Sequence, residues 1–385
     1  MRISVLAENL NRGVGVVMRS VSSRPQLPVL ANIKLTAAKN GLELLSTDLE
    51  MSFRIKVGAK VEQEGEMSVP AKTFGELMGT INSGVVELSS EGEKLTVKAG
   101  KTKAVIMGMA AVEFPAIPEF EGEADFEFES QKLMEVIDKV SFSAAKDESR
   151  PVFTGVMWRW TASASDAAAA GGEMILATTD GYRLSKSVIT PSKSAGKKEN
   201  MSVNIPARSV TELVKAMGKD ENDMVLMKIE MSKQQVIFKC GEVELVSRLI
   251  GGDFPPFEQI LPKSHTTAVI FDRSELMETV RRVSIFARDS ANIVKLSCDG
   301  EKGVMSANSS TIGSSECEME VTTEGEALEV AFNWKYLSEL LGVIGEERIR
   351  LESEGGLKPG VFKVMKKDKV DESYVHVIMP VRVAS

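Results

Sequence analysis

The chain has 385 residues, 43% of them hydrophobic and 26% charged, with a formal net charge of −8. That is the composition of an ordinary globular protein, long enough for two to four domains at roughly 100–200 residues each. Three scattered cysteines, Cys240, Cys298 and Cys317, make neither a zinc spacing nor a disulfide framework, and two histidines, His265 and His376, are too few for a His-based triad or a His-rich metal site.

No apolar run approaches the ~20 residues that span a bilayer, so no membrane partner is expected. Glu8, Asn9, Asn11 and Arg12 interrupt any signal-peptide core near the start. The cysteine usage fits a reducing cytoplasm, with the thiols as small core residues. His265 reads as a linker residue and His376 as part of an alternating strand, "YVHVIMP".

In chain order, the first elements are a short alternating strand and an amphipathic helix in "ISVLAENLNRGVGVVMRSVS" from Ile3. A strand running into a second helix follows in "SVPAKTFGELMGTI" from Ser68. Alternating strands come next in "VVELSSEGEKLTVKAG", and then the Pro-containing segment "EFPAIP". The order then starts again. "FEFESQKLMEVIDKVSFSAA" from Phe126 offers Ser130 as a cap and Leu133, Met134, Ile137 and Val140 as an apolar stripe. "VNIPARSVTELVKAMG" from Val203 and "DFPPFEQILP" complete this copy. A third begins at "VIFDRSELMETVRRVSIFAR" from Val269, with Leu276, Met277, Val280 and Val283 at the same spacing. It continues through "VAFNWKYLSELLGVIG" and ends on "VIMPVRV".

Each copy is therefore expected to hold two helices and about eight short strands in an α+β layer arrangement. The divisions fall at 1–122, 123–263 and 264–385, with linkers near "PEFEGEADFE" and "LPKSHTTAV". Thr161–Glu173 and Thr190–Asn200 read as loops, being poor in bulky apolar residues.

The residues of "MILATTDGYRLSKSVI", Met174 to Ile189, form two apolar halves around a turn at Thr179–Arg183. Gly181 permits the turn, and Tyr182 and Arg183 are expected to project from it. Asp180 reads as turn chemistry rather than as a catalyst. Asp48 in "STDLE" repeats it in the first copy, and no histidine stands near it as a base. No Walker A pattern occurs, so no nucleotide cofactor is expected; nor is any metal or other cofactor.

Taken together and in order, "SSRPQLPVLANIKL", "LLSTDLEMSFRIKV", "VPAKTFGEL", "ATTDGYRLSKS", "GGDFPPFEQILP", "FNWKYLSELL" and "VIMPVRV" resemble the bacterial DNA polymerase III beta subunit family over the whole chain. The resemblance implies three tandem clamp domains and a head-to-tail homodimer that closes into a ring around duplex DNA, with the helices lining the hole. It implies a processivity factor without catalysis of its own, cytoplasmic and nucleoid-associated. Its partners would be double-stranded DNA read without sequence preference, the replicative polymerase alpha subunit, a clamp loader and other proteins carrying a clamp-binding motif.

The same resemblance, with the charge pattern, marks Arg24, Lys72, Arg150, Arg208, Lys215, Arg281, Arg282 and Lys335 for the DNA-facing surface. Val152 stands where family members often carry an aromatic residue. A partner-peptide groove is implied at Phe153, Thr179, Gly181, Tyr182, Arg183, Leu184, Pro255, Gln259 and Ile260. It continues with Tyr336, Leu357, Pro359, Met379, Pro380, Val381 and Arg382. Gln259 replaces an arginine common in the family. Ring closure would bring Lys101, Lys103 and Ile106 of one chain to Ile285 and Phe286 of the other, and "NSSTIGSSECEME" lacks an acidic run that the family often presents there. That altered seam motivates an alternative, a clamp-like paralogue that docks peptides without encircling DNA. An enzyme built on "TTDGYR" is the least favoured reading.

Overall fold

The computed structural model describes residues 1–22, 24–162, 171–195, 199–218, 223–289 and 291–382. The first third of the chain contains β1 (Arg2–Leu6), α1 (Ala7–Val17), β2 (Asn32–Ala38), β3 (Gly41–Thr47), β4 (Met51–Val57), β5 (Ala59–Gln63), β6 (Gly65–Pro70), α2 (Ala71–Gly79), β7 (Val85–Glu91), β8 (Lys94–Ala99) and β9 (Thr102–Met107). The second contains β10 (Phe126–Glu129), α3 (Ser130–Ser141), β11 (Gly155–Ala162), β12 (Gly172–Thr179), β13 (Arg183–Ile189), β14 (Lys193–Ser194), β15 (Met201–Pro206), α4 (Ala207–Ala216), β16 (Met224–Glu230), β17 (Gln235–Cys240) and β18 (Val243–Arg248). The third contains β19 (Thr267–Asp272), α5 (Arg273–Ala287), β20 (Ile293–Asp299), β21 (Lys302–Ser309), β22 (Gly313–Gly325), β23 (Leu328–Asn333), α6 (Trp334–Val343), β24 (Arg348–Ser353), β25 (Gly360–Lys366), β26 (Lys369–Val370) and β27 (Tyr374–Ile378).

Each third thus has two helices, as expected, but nine strands among the described residues rather than eight. Part of the difference lies in the segment read as a loop at Thr190–Asn200, where Lys193–Ser194 pairs with Phe126 and Glu127. The other predicted loop is trimmed at both ends, since Thr161 and Ala162 pair with Glu173 and Gly172; its interior at 163–170 lies outside the described residues. Ser130 is the first residue of α3 rather than its cap, and Glu129 holds the N-cap position. The stripe of α3 behaves as its spacing predicts, with Leu133, Ile137 and Val140 fully buried.

All the ladders are antiparallel, and two of the sheets run across the repeats. A 9-stranded sheet joins the first two thirds by pairing β4 with β18, and a 13-stranded sheet joins the last two by pairing β13 with β27. The two seams use equivalent strands. In each, the last strand of one repeat lies beside the strand that follows the Thr47–Met51 or Thr179–Arg183 turn of the repeat before it. Backbone pairing across a boundary satisfies the edge strands and fixes the angle between neighbours.

The helices pack in pairs, α1 with α2, α3 with α4 and α5 with α6, and cover the sheets from one side. Opposite them, the linkers cover smaller apolar clusters, one holding Phe254 and Phe257 and the other Phe114 and Ile117. Ion pairs tie the helical side of each seam. Arg19 reaches Glu212 at 2.9 Å across the first, and Lys139 reaches Glu346 at 2.8 Å across the second.

A buried charge also locks the first seam. The Arg54 side chain, 6% exposed, lies 3.4 Å from Glu244 of the neighbouring repeat and donates to the carbonyls of Ile117 and Pro118 in the linker. Burial alone would raise the Glu244 carboxyl. Hydrogen bonds from Lys239 and the Phe120 N–H, with the nearby charges of Lys239 and Arg54, outweigh it and hold the group below its ordinary range. Glu43 at 3.3 Å and Glu119 at 3.6 Å also face Arg54, so losing Glu244 removes the one carboxylate that joins Arg54 to the neighbouring repeat and unbalances a mostly buried cluster. Glu244→Ala is expected to lower stability by about 3 kcal/mol, read as a shift of the urea unfolding midpoint. A change within about 0.5 kcal/mol, typical of a surface site, would show that the pair is not what holds the seam.

Candidate functional site

The turn between β12 and β13 is built by its own side chains. Asp180 Oδ1 accepts hydrogen bonds from the N–H groups of Tyr182 and Arg183, at 2.9 and 3.1 Å. Thr179 Oγ1 accepts from the Gly181 N–H at 3.0 Å and donates to the Arg183 carbonyl at 2.7 Å. Gly181 has φ +92°, where a side chain would be strained. The first repeat builds the same turn, with Asp48 Oδ1 accepting from the Glu50 and Met51 N–H groups. Asp180 is therefore a turn builder, as read from the sequence. Glu339, which also meets Arg183, is the other carboxylate near it, and no histidine contacts Asp180 among the described residues.

Arg183 does not project. Its side chain is buried, with Nε 3.0 Å from Asp180 and Nη2 donating to the Phe142 carbonyl at 2.9 Å. Nη1 pairs with Glu339 on α6, and the guanidinium lies 4.5 Å from the Tyr336 ring and 5.3 Å from the Phe142 ring. It is a bolt between the second and third repeats rather than an exposed contact. Thr179 and Leu184 are also buried, so they shape the groove from beneath. Leu184 lies in an apolar cluster with Phe257, Val361 and Val377.

Around this bolt the structure gathers most of the expected groove. The Met379 N–H donates to the Tyr182 carbonyl at 2.9 Å, and the Val381 N–H to the Ala331 carbonyl at 2.8 Å. The first places the chain end along the turn, and the second ties it to β23. Gly360, next to Pro359, is paired with Ile378, next to Met379. Arg150 donates to the Asp180 carbonyl at 3.0 Å and stacks on Phe153 at 4.8 Å. Tyr182 (62%), Leu357 (69%), Ile260 (40%) and Met379 (39%) remain exposed, an unusual density of large apolar side chains for a solvated surface. Pro255 is half-buried, Gln259 and Arg382 are exposed, and Pro380 and Val381 are half-buried. An open cavity of about 1100 Å³ on the helical side, lined by Phe142, Pro151, Arg208, Glu339 and Val343 among others, meets this site only through Phe142 and Glu339, which hold Arg183 from behind.

The first seam has the same frame without the same surface. The Arg248 N–H donates to the Glu50 carbonyl at 2.9 Å and the Ile250 N–H to the Asn204 carbonyl at 2.8 Å, the equivalents of the Met379 and Val381 bonds. Where the second seam presents Tyr182 and Met379, the first presents the ion pair of Glu50 and Arg248 at 3.6 Å. Side chains, not backbone, restrict the apolar groove to one seam.

Of the expected DNA-facing residues, Arg24, Lys72, Arg150, Arg208, Lys215, Arg281, Arg282 and Lys335 are all exposed. Arg208 pairs with Asp48 and Lys215 with Glu212, both at 2.7–2.8 Å, and Arg282 with Glu278 at 2.7 Å. Among the expected seam residues, Lys101, Lys103 and Ile285 are exposed and Phe286 is half-buried. Ile106 is the exception: it is 6% exposed and belongs to the core of its own repeat. Its neighbours Val105 (55%) and Met107 (58%) face outward instead. The alternation of "KAVIM" carried that phase, since Ala104 and Ile106 share one strand face. Phe142 and Glu339, which hold Arg183, were not singled out from the sequence.

A repeated two-helix, nine-strand unit, joined by sheets that cross its boundaries and carrying one apolar groove per chain, defines a DNA-clamp fold. Models of the N-terminal, central and C-terminal domains of the DNA polymerase III beta subunit match residues 1–118, 127–256 and 258–382. The chain belongs to that family and is a DNA sliding clamp, a processivity factor. The beta sliding clamp of Bacillus subtilis (strain 168) is 28% identical over 394 residues, covering 99% of this chain and 100% of that one. The crystal structure of a Bacillus subtilis sliding clamp superposes with a TM-score of 0.89 at 27% identity, covering 100% of both chains. That of the beta subunit from Pseudomonas aeruginosa gives 0.87 at 26%, again over 100% of both.

Beneath the groove strand, His376 is fully buried, stacked on Phe142 at 5.3 Å, with Nδ1 2.8 Å from Ser185 Oγ. Burial, with the Arg183 charge, pushes its pKa down to about 3. An unfolded histidine protonates near its ordinary 6.5, while the folded one stays neutral to about 3. The unfolded state thus binds the proton first. This group's contribution is intact above pH 6.5 and is lost progressively as pH falls toward 3. His376→Met should therefore lose less stability between pH 7 and 4 than the parent, measured by urea unfolding at each pH; parallel curves would exclude this role.

Proposed function

We propose that two copies of this chain close head to tail around duplex DNA and hold partner proteins at the groove between the second and third repeats. The observation that carries the groove is the apolar surface of Tyr182, Ile260, Leu357 and Met379, spread over both repeats and anchored on the buried Arg183. The occupant is a short linear motif, glutamine-led with Leu and Phe anchors. Its apolar side chains fill the groove, while exposed backbone and Gln259 set its register. Met and Tyr suit such a surface because they adapt to varied partners and are enriched at interfaces. The partners are the replicative polymerase alpha subunit, the clamp loader and other motif-bearing replication and repair proteins. The clamp contributes tethering: holding the polymerase beside its template raises effective concentration without new chemistry.

The lining is read from the helices. Lys72 on α2, Arg208 and Lys215 on α4, and Arg281 and Arg282 on α5 are exposed on the side of the molecule that the helices cover. Although the chain carries a net charge of −8 and Arg208, Lys215 and Arg282 are ion-paired, exposed cations on this side can still attract phosphate locally. Phosphate contacts without base contacts leave the ring free to slide. Arg24 and Arg150 add cations from loops, and Arg150 also braces the Asp180 turn. The residues reserved for the groove and the lining suit a non-catalytic subunit located with the nucleoid in the cytoplasm.

Two measurements test this reading. In fluorescence polarisation with a labelled motif peptide, Tyr182→Ala and Met379→Ala should each weaken binding roughly tenfold, about 1.4 kcal/mol, with unfolding midpoints unchanged. Arg183→Ala should weaken binding and stability together. Full-strength binding by Met379→Ala would remove the groove assignment. For DNA, the slope of log K against log salt should shrink by about 2 in Arg24→Ala/Lys72→Ala, since each lost phosphate contact is worth about 0.9. An unchanged slope would place those residues away from DNA.

A further inference from the structure

One exposed cation borders two surfaces. Arg150 follows a loop whose Lys146 and Glu148 line the open cavity on the helical side. Its side chain reaches the other way, onto the turn at the edge of the groove. Nη2 donates to the Asp180 carbonyl at 3.0 Å, and the guanidinium lies 4.8 Å from the centre of the Phe153 ring. Nη1 lies over Gly181, where an added Cβ would come within 3.1 Å of it. The bare backbone of Gly181 is what admits the fork of the guanidinium. These contacts hold the turn from outside, as Arg183 holds it from beneath, and Tyr182 is the next residue along.

This brace belongs to the second seam alone. Asn32 pairs with Pro70 as Gly155 pairs with Pro206, and a short helical turn precedes each strand, Pro28–Ala31 in the first repeat and Pro151–Thr154 in the second. Leu27 therefore occupies the position of Arg150, and Leu49, one residue after Asp48, that of Gly181. Both leucines are exposed, at 53% and 44%, and Leu49 takes φ +75°. The backbone frame is shared, but an arginine lying on a glycine occurs only at the seam that carries the groove.

The partners of Arg150 are a carbonyl and an aromatic ring, both neutral, whereas Arg208, Lys215 and Arg282 each face a carboxylate. Asp147, in the same loop, accepts from the Ser149 N–H and hydroxyl at 2.9 and 2.6 Å, so its oxygens are engaged locally. A phosphate brings the opposite charge and accepts the guanidinium fork in two parallel bonds. We propose that Arg150 is a shared positioning residue: it presents the groove while it lies on the turn, and it grips a nucleic-acid phosphate only by leaving the turn. Duplex on the helical side and a peptide in the groove then oppose one another without touching. The inference rests on the groove and lining readings above and adds a coupling between them. When the fork turns to a phosphate, the Asp180 carbonyl loses a donor, the Phe153 ring loses its cover and the turn that carries Tyr182 loosens. When a peptide packs on Tyr182 and Phe153, the brace is held and the phosphate contact is given up. A docked partner thus releases one phosphate contact, which eases sliding.

The test is motif-peptide affinity by fluorescence polarisation on the full chain at low salt, alone and with a saturating short duplex. Blunt ends leave no single strand to enter the groove. In the parent the duplex should weaken the peptide about fivefold, the lower end of the usual range for coupled sites. In Arg150→Ala both ligands bind more weakly, yet the ratio of the two peptide affinities should fall to one. Lys72→Ala, which removes a cation far from the turn in the chain, should need more duplex to saturate and should keep the parent's ratio. A parent that binds both ligands with a ratio of one overturns the coupling and leaves the groove and the lining standing. An Arg150→Ala protein that keeps the parent's ratio does the same. A ratio lost equally in Lys72→Ala would assign the effect to total charge and overturn the part given to Arg150. A parent that binds no peptide, or no duplex, overturns the reading on which the inference rests.

Discussion

Antiparallel pairing between the last strand of one repeat and the after-turn strand of its neighbour is the constraint on which the rest of the molecule depends. It joins three α+β units, because each boundary is a continuous sheet rather than a linker alone. It also fixes where the helices stand, since each pair packs on sheets whose orientation the seam has set. The ion pairs Arg19–Glu212 and Lys139–Glu346 then brace the helical side of the two boundaries. The Arg54–Glu244 contact adds a charge contact to the backbone pairing at the first boundary, where the desolvation of both groups offsets much of its attraction.

The groove is a by-product of that same pairing. Where β27 joins β13, the chain runs on past Ile378 along the Thr179–Arg183 turn and creates a shelf of backbone and apolar side chains. The first seam repeats the hydrogen bonds but fills the shelf with Glu50 and Arg248. Repetition supplies the architecture, and a few substitutions decide which copy docks a ligand. The buried Arg183 shows the division of labour: it braces the turn between two rings and two carboxylates, while Tyr182 and Met379 stay exposed around it.

Much of this was legible in the sequence because it is written in periodicity and in repetition. The apolar spacing of Leu133, Ile137 and Val140, and of Leu276, Val280 and Val283, gave the helices and their buried faces, and the Asp48 and Asp180 turns followed from local chemistry. What stayed hidden depends on residues far apart in the chain. Arg183 is buried because Glu339, 156 residues on, and Phe142 converge on it, and no local pattern announces that. Ile106 was misplaced for a simpler reason. An isoleucine among lysines resembles an exposed anchor unless the two-residue strand period is counted from Ala104.

Because the groove is assembled from both the second and third repeats, whatever occupies it also spans their boundary. An occupant that touches Tyr182 on one side and Leu357 or Met379 on the other acts as a removable splint across that joint. By mass action it stabilises the joined arrangement by RT ln(1 + [L]/Kd) over any state in which the two repeats swing apart. Linkage then runs in reverse: strain that bends this joint lowers the affinity for the docked protein by the same factor. On the proposed reading of the groove, docking and stiffness of this joint are thus two sides of one coupling.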